Sequence, residues 1–333
     1  MSWIAGFLIL IIKLGAVLFC LLLLAAYLVW VERKFLARLQ IRHGPNRAGK
    51  FGLLQPIADT VKMLTKEDTV PEGADRTIFL LAPAVVAITA LMMFAVVPWG
   101  GDATLWGKKV PLVITDLNVG LLYVFALSSL AVYGVALGGW ASNSKYALLG
   151  GIRGAAQMIS YELSLGLSLV PVVMLAGSFS IVDIVQAQEK YPFVLVQPVA
   201  FLTFIISAMA ESKRIPFDLP EAENELVAGF HTEYSGMRFG LFFLGEYVHM
   251  QVLGALTAVL FLGGWRGPLL PPVVWLFIKI ILVVLFMIWT RGTLPRLRYD
   301  QLMALGWKVL IPLALVNIMV TGAMVLTAAD RLP

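Results

Sequence analysis

The sequence predicts an all-α, polytopic membrane protein with about eight transmembrane helices and one amphipathic helix lying at the membrane surface in the first cytoplasmic loop. Three observations carry this. Of 333 residues, 60% are hydrophobic and 14% are charged, with a mean hydropathy of +0.88. Soluble domains are about 45–50% apolar and about 25% charged, so a water-soluble fold of this length would lack the polar side chains to cover itself. Apolar runs long enough to cross hydrocarbon (about 20 residues for about 30 Å) recur along the chain. The cations, finally, gather in alternate loops, as orientation in a membrane requires.

The first run, 3–31, ends in Trp30-Val-Glu-Arg-Lys34, an interfacial aromatic followed by a basic flank, which serves as an anchor or as a binding element. Lys13 inside it reads as snorkelling to the headgroups. Loop 32–76 begins with His43-Gly-Pro-Asn-Arg-Ala-Gly49, dense in turn formers. It continues into Gln55–Lys66, where Ile57, Val61 and Leu64 form one helical stripe and Asp59, Lys62 and Lys66 the opposite one. That pattern predicts a short helix lying in the interface. Further runs follow at 77–100, 119–140, 155–177, 193–211, 238–263, 271–290 and 306–328, all within a single integral membrane domain, 1–333. Seventeen Lys and Arg lie in the loops after the odd-numbered runs, counting Arg238 with its loop, against five elsewhere outside the runs. The positive-inside rule then places the long loops 32–76 and 212–237 in the cytoplasm and both termini outside.

Ionisable groups inside apolar runs need a partner or a task, since each costs about 2.5–3.5 kcal/mol at a helix centre. Glu162 and Glu246 fall at similar distances from the cytoplasmic ends of their runs, roughly 10–12 Å deep at 1.5 Å per residue. If those two helices pack together, the acids share a layer in which they titrate as a pair. Lys279 is read as a snorkelling cation or as the counter-charge of a buried acid. The loop from Glu211 to Glu225 is the densest acidic stretch and also holds Asp218, Glu221 and Glu223, with Arg214 as a nearby counter-charge. Asp218 followed by Pro220 and Glu221 predicts a helix start there, with Glu221 and Glu225 sharing one face, where like charges repel. Protonation or cation pairing is then the reason for such a stack.

Cys20 is the only cysteine, and His43, His231 and His249 are scattered without metal-ligand spacing, so neither a disulfide framework nor a metal cluster is expected. The net charge of +5 sits in loops rather than on one accessible face, which speaks for membrane orientation and against nucleic acid. Met1 to Ile12 carries no charge and so lacks the basic region of a signal peptide. A proton-coupled secondary transporter and a structural scaffold both fit the composition. Internal repeats, the usual mark of a transporter, are not visible, and a scaffold leaves the intramembrane acids unexplained.

A set of motifs narrows the choice. Glu32-Arg-Lys34, Arg42-His-Gly-Pro-Asn-Arg47, Gly52-Leu-Leu-Gln-Pro-Ile-Ala-Asp59, Gly139-Trp-Ala-Ser-Asn-Ser-Lys-Tyr146, Ser160-Tyr-Glu162, Pro216-Phe-Asp-Leu-Pro-Glu-Ala-Glu-Asn-Glu-Leu226, Glu233-Tyr-Ser-Gly236 and Leu294-Pro-Arg-Leu-Arg-Tyr-Asp-Gln301 occur in order over essentially the whole chain. Together they resemble the H subunit of bacterial NADH:quinone oxidoreductase, respiratory complex I. Ser212-Lys213 departs from that pattern, where Thr-Asn is the commoner pair. The related membrane subunit of energy-converting hydrogenase complexes shares the fold and is the nearest alternative.

The resemblance implies a subunit of the bacterial inner membrane that frames a quinone tunnel and links quinone reduction to proton translocation. Arg33, Asp59, Lys62 and Phe217 would border the tunnel. Glu162, Glu246, Glu211, Asp218, Glu221, Glu223, Glu225 and Lys279 would couple protons, with Glu32 and Arg214 as structural or counter-charge residues. The chain itself would bind no cofactor and no metal. NADH, FMN and iron–sulfur clusters would sit in partner subunits, and quinone would be the substrate. The partners implied are quinone-module subunits of the B, D (or fused C/D) and I types on the cytoplasmic loops, membrane-arm subunits of the A, J and K types, and lipids. Alone, the chain would catalyse nothing.

Overall fold

A computed structural model describes residues 3–105, 108–221 and 223–329. The first apolar run becomes α1 (Trp3–Leu39), which continues past its apolar part into the basic flank. The amphipathic segment forms α2 (Gln55–Thr65), opened by Pro56 in its first turn, where a missing N–H costs nothing. α3 (Arg76–Met93) is capped by Asp75, whose carboxylate accepts from the backbone N–H groups of Thr77 and Ile78. Between α3 and α4 (Gly120–Ala141), Asp102–Leu105 and Lys108–Pro111 pair as a short antiparallel hairpin, the only strands among the described residues. α5 (Lys145–Ala176) stops at Gly177, whose φ of 68° suits a left-handed cap. After α6 (Ile181–Ala187) come α7 (Phe193–Val196), α8 (Pro198–Glu211) and the short α9 (Glu223–Leu226). α10 (Gly236–Phe261), α11 (Pro272–Thr293), α12 (Tyr299–Ala304) and α13 (Ile311–Ala329) complete the chain. α12 runs into α13 through a widened π-helical stretch, Leu305–Leu310.

Seven of these helical segments are long and apolar enough to cross a membrane, with α12–α13 counted as one. The chain is a multi-pass, all-α membrane protein. The run 193–211 forms no single helix: it breaks at Gln197, whose φ of −128° and ψ of 59° belong to neither α7 nor α8. The residue before a proline is driven out of the helical region, and Pro198 follows. The buried side-chain amide of Gln197 is met by α13, donating to Thr321 (2.9 Å) and accepting from Asn317 (3.1 Å). The backbone at the break is satisfied within the segment, the Gln197 N–H donating to the Phe193 carbonyl (2.7 Å) and the Gln197 carbonyl accepting from Phe201 (3.0 Å).

α10 is the axis of the bundle. Every residue from Tyr247 to Phe261 is buried, the polar His249, Gln251 and Thr257 included. It packs on α3 and α11, while α5 packs on α4 and α8. Small residues let α4 and α5 touch backbone to backbone, and a Cβ on Gly139 would lie 2.4 Å from the Ala147 carbonyl oxygen. α1, by contrast, leans on the bundle along α10 and α11 and leaves most of its apolar surface uncovered. The C-terminal ends of α1 and α11, the N-terminal ends of α3, α5 and α10, α2, and the loops beside them carry most of the cations and define a basic end, where the ionisable cluster described next is assembled.

Candidate functional site

At the basic end the C-terminal part of α1 meets α2 and α10 around a mostly apolar cavity of about 300 Å³, walled by Leu22, Val29, Met63, Phe243, Leu244 and Tyr247. Its polar edge is an ion pair: Arg33 donates to the Asp59 carboxylate at 2.8 Å, and Gln55 supports the other carboxylate oxygen at 2.9 Å. The polar stripe expected on α2 is therefore split. Asp59 turns toward α1 with Pro56 and Met63, whereas Lys62 is exposed and Ile57, Val61 and Leu64 face away from the bundle. Lys62 and Phe217 do not line this cavity; Phe217 is buried against Tyr161, ring centroids 5.8 Å apart.

Arg33 and Tyr247 also line a second cavity of about 220 Å³, which holds a dense charge cluster. Glu32, 3% exposed, accepts from Arg214 at 2.9 and 3.1 Å, from the Tyr247 hydroxyl at 2.6 Å, and from Arg291. Arg214 in turn pairs with Glu246, and its guanidinium lies 4.4 Å from the Tyr247 ring centre. Burial alone would pull the Arg214 pKa down, but Glu246, Tyr247 and Glu32 outweigh it and hold the group well above its ordinary value. Its neighbour Lys213, also buried, is instead pushed down by burial; its ammonium lies 5.1 Å from the Phe230 ring centre.

From Glu246 the polar groups continue inward. Glu246, His249, Glu211 and Lys213 line a narrow cavity of about 20 Å³, room for about one water. His249 Nε2 lies 3.4 Å from Glu211. Glu211 accepts from Ser128, and the adjacent Ser129 donates to Glu162. Of two consecutive hydroxyls on α4, one thus bonds a carboxylate of α8 and the other a carboxylate of α5.

Several sequence expectations change here. Glu162 and Glu246 are given different partners: α10 is held by α3 and α11 and α5 by α4 and α8, so Glu246 meets Arg214 while Glu162 meets Ser129. Lys279 is no counter-charge to an acid. Its ammonium donates to the carbonyls of Leu262, Gly264 and Arg266 at 2.7, 2.8 and 2.7 Å, closing the C-terminal end of α10. The helix expected from Asp218 also does not form; Asp218 and Glu221 lie in turns ahead of α9. Glu221 then pairs with His231 (3.5 Å) and Glu225 with Arg153 (2.6 Å), so the two do not confront each other. The side chain of Glu223 lies outside the described residues.

Burial, reinforced by Glu221, pushes Asp218 up to about 7 against the pull of Arg296 and Arg291. Glu221 goes the other way: burial raises it, but the His231 hydrogen bond and charge, with Arg214 and Lys213, bring it below its ordinary value. The loop is also pinned from within the bundle, since buried Gln157 donates to the carbonyls of Ala210 and Phe217, both at 2.7 Å. At the Ser160-Tyr-Glu162 motif, Tyr161 donates to the Leu302 carbonyl (2.9 Å) beside the π-helical stretch, and Trp307 donates to Ser160 (3.2 Å).

Tyr247, His249, Arg291, Gln157, Ser128 and Ser129 are members of the site that motif and depth reasoning passed over. Only His249 carries a local signal, lying three residues from Glu246 on the same helix face. Among the described residues, no group of three or more His, Cys, Asp or Glu could hold a metal ion.

A family model described as NADH dehydrogenase matches residues 12–322. Among curated relatives, the second H subunit of the NADH-quinone oxidoreductase of Syntrophobacter fumaroxidans is 84% identical over 98% of both chains. The second H subunit of the Geobacter sulfurreducens enzyme is 66% identical over 93% of this chain and 94% of its own. The H subunit of the Thermomicrobium roseum enzyme is 52% identical over 96% of this chain and 95% of its own. With its helical membrane fold and these relatives along nearly its whole length, the chain belongs to the family of H subunits of NADH-quinone oxidoreductase, respiratory complex I.

Proposed function

We propose that this chain frames the quinone tunnel of a proton-translocating NADH-quinone oxidoreductase and passes the consequence of quinone reduction into the membrane as proton movement. The observation that carries the reading is the succession of polar groups from the Arg33–Asp59 edge of the apolar cavity, through Glu32, Arg214 and Glu246, to Glu211, Ser128, Ser129 and Glu162, its ion pairs and hydrogen bonds linked through shared cavities. An apolar cavity with few polar groups suits a long apolar tail and a small polar head. Reduction of a quinone consumes protons and transiently creates negative charge. A negative charge near Arg33 or Arg214 competes with Asp59, Glu32 and Glu246 for their guanidinium partners, and a carboxylate that loses its cation gains affinity for a proton. The single-water cavity and the paired serines give that proton short steps toward α5.

In this reading the chain holds no redox centre; electrons arrive from NADH through FMN and iron–sulfur clusters in partner subunits docked on the basic end, which faces the cytoplasm. Membrane-arm subunits cover the partly exposed Glu162, and both termini face outward. Glu221, Glu225 and Asp218 act in the loop that connects tunnel and relay.

The test is Glu211→Gln and Glu246→Gln in the assembled complex in proteoliposomes. The expected result is intact assembly, NADH oxidation by an artificial acceptor unchanged, and quinone reduction or protons pumped per electron at least tenfold lower. Pumping at the parental ratio in both variants and in the double variant overturns the relay.

A further inference from the structure

About a third of a turn around α1 from the Arg33–Asp59 face, the end of the helix has another cleft of about 310 Å³, between Trp30, Lys34, Phe35 and Arg38 on the helix and Phe51 in the following loop. We propose that this cleft binds the headgroup of an anionic phospholipid from the leaflet that holds the C-terminal end of α1.

The order of side chains along the helix makes the case. Phe19, Leu23, Tyr27, Trp30, Lys34 and Arg38 follow at intervals of three or four and so share one stripe. Phe19 and Leu23 are 66% and 45% exposed, an uncovered apolar surface at acyl-chain depth. Aromatic rings come next, then cations. From Trp30 to Arg38 the helix rises about 12 Å, which carries the stripe from the hydrocarbon boundary through the headgroup layer. Apolar, aromatic and cationic groups therefore succeed one another in the order of a lipid's chains, ester region and phosphate.

The charges of the cleft are uncompensated. No Asp or Glu occurs between Arg33 and Asp59, a stretch that contains Lys34, Arg38, Arg42, Arg47 and Lys50. The carboxylates nearest in sequence are already taken: Glu32 by Arg214 and Arg291, and Asp59 by Arg33. Among the described residues, Lys34, Arg38 and Lys50 have no carboxylate within salt-bridge distance. A phosphate with net negative charge fits such a cleft. The ammonium of a zwitterionic headgroup would find no acid there.

The walls are fixed. Trp30 donates its indole N–H to the Phe51 carbonyl at 3.3 Å, and the Lys34 ammonium lies 5.9 Å from the Trp30 ring centre. Phe51 holds a left-handed backbone (φ 58°), and the Gly52 that follows packs so tightly that a Cβ would lie 2.3 Å from the Pro45 carbonyl oxygen. Strain at an exposed aromatic beside a basic cleft is what a ligand clamp shows.

The experiment reconstitutes the whole complex with photoactivatable phosphatidylglycerol or, separately, photoactivatable phosphatidylcholine at equal mole fraction, and maps the labelled peptides. The expected result is labelling of 30–38 and of Phe51 by the anionic probe well above the zwitterionic one. Unlabelled phosphatidylglycerol should compete it away, and unlabelled phosphatidylcholine should not. Lys34→Gln and Arg38→Gln should each lower the anionic preference about fivefold. The competition arm uses the parental protein, so it stands even if a variant fails to assemble. Equal labelling by both probes, no competition, or a photo-crosslinker at Phe51 that captures another subunit of the complex instead of lipid overturns the site.

Discussion

Replacing Glu32 by Ala tests how the charge cluster is held together. The Glu32 and Arg214 side chains are 4% and 8% exposed, and the same carboxylate receives Tyr247 and Arg291. The cluster is balanced, with Glu32 and Glu246 against Arg214 and Arg291. Removing Glu32 leaves a net buried positive charge and a Tyr247 hydroxyl without its acceptor. Breaking one side of a buried ion pair costs about 3–5 kcal/mol. Arg291, 33% exposed and open to the 220 Å³ cavity, can take water in place of the lost acid, which puts the expected cost at the lower end, about 3 kcal/mol. If that cost falls on the unfolding rate, this subunit is lost from the purified complex about a hundredfold faster at a fixed elevated temperature. The assay is release of the chain on native gels against time. Glu32→Gln, which keeps the shape but not the charge, should fall between. The double variant Glu32→Ala/Arg291→Ala restores neutrality and should lose less than the sum of the two single changes, by about 0.5–3 kcal/mol. A Glu32→Ala complex that dissociates at the parental rate, or a double variant that loses the full sum, refutes the reasoning.

Lys279→Met should destabilise the complex by about 2 kcal/mol through loss of charged hydrogen bonds at the end of α10, with Lys279→Arg milder and protons pumped per electron unchanged; a changed pumping ratio with normal stability would return Lys279 to the relay. Asp218 has a folded pKa of about 7 against an ordinary 3.8, so the native state holds its proton more tightly. The stability this contributes is present in full below about pH 4, falls as pH rises, and is gone above about pH 7. Asp218→Asn should therefore flatten stability between pH 4 and pH 7, and a slope equal to that of the parent would show that Asp218 titrates as an ordinary surface acid. Asp59→Ala should lower quinone reduction about tenfold while sparing NADH oxidation by an artificial acceptor, and Lys62→Ala, away from the cavity, should change neither; matching losses in the two variants would remove the distinction between the faces of α2.

The helices were legible because lipid imposes one rule on every span, and that rule operates locally: a run of apolar residues forms its own hydrogen bonds wherever it lies. The same locality explains what was missed. Arg214 and Glu32 are 182 residues apart and Arg291 and Glu32 are 259 apart, and no periodicity links such positions. Ser128 and Ser129 sit in a run whose composition says only membrane, and they matter because α8 and α5 bring Glu211 and Glu162 to them. Lys279 was readable as a cation in an apolar helix, but its partners are carbonyls, which every residue has and no sequence pattern marks. The acidic loop misled in a different way. Its Asp-x-Pro-Glu spacing favours a helix start, yet Glu221 meets His231 and Glu225 meets Arg153, and those contacts outweigh a cap worth about 1 kcal/mol.

The break at Gln197 has a consequence for synthesis. The fifth apolar segment enters the bilayer carrying at its break a glutamine side-chain amide that finds its acceptor on Thr321, 124 residues further along. Until α13 is made, those polar groups face hydrocarbon or a temporary partner, at a cost of several kcal/mol for each one left unsatisfied. At about 5–20 residues per second, translation takes roughly 6–25 s to supply the missing helix. During that interval the segment is best kept beside the insertion machinery, and a ribosome stalled after α11 would leave a chain whose Gln197 side chain lacks its α13 partners. Thr321→Val and Asn317→Leu should then lower the yield of inserted chain before they alter any property of the finished complex.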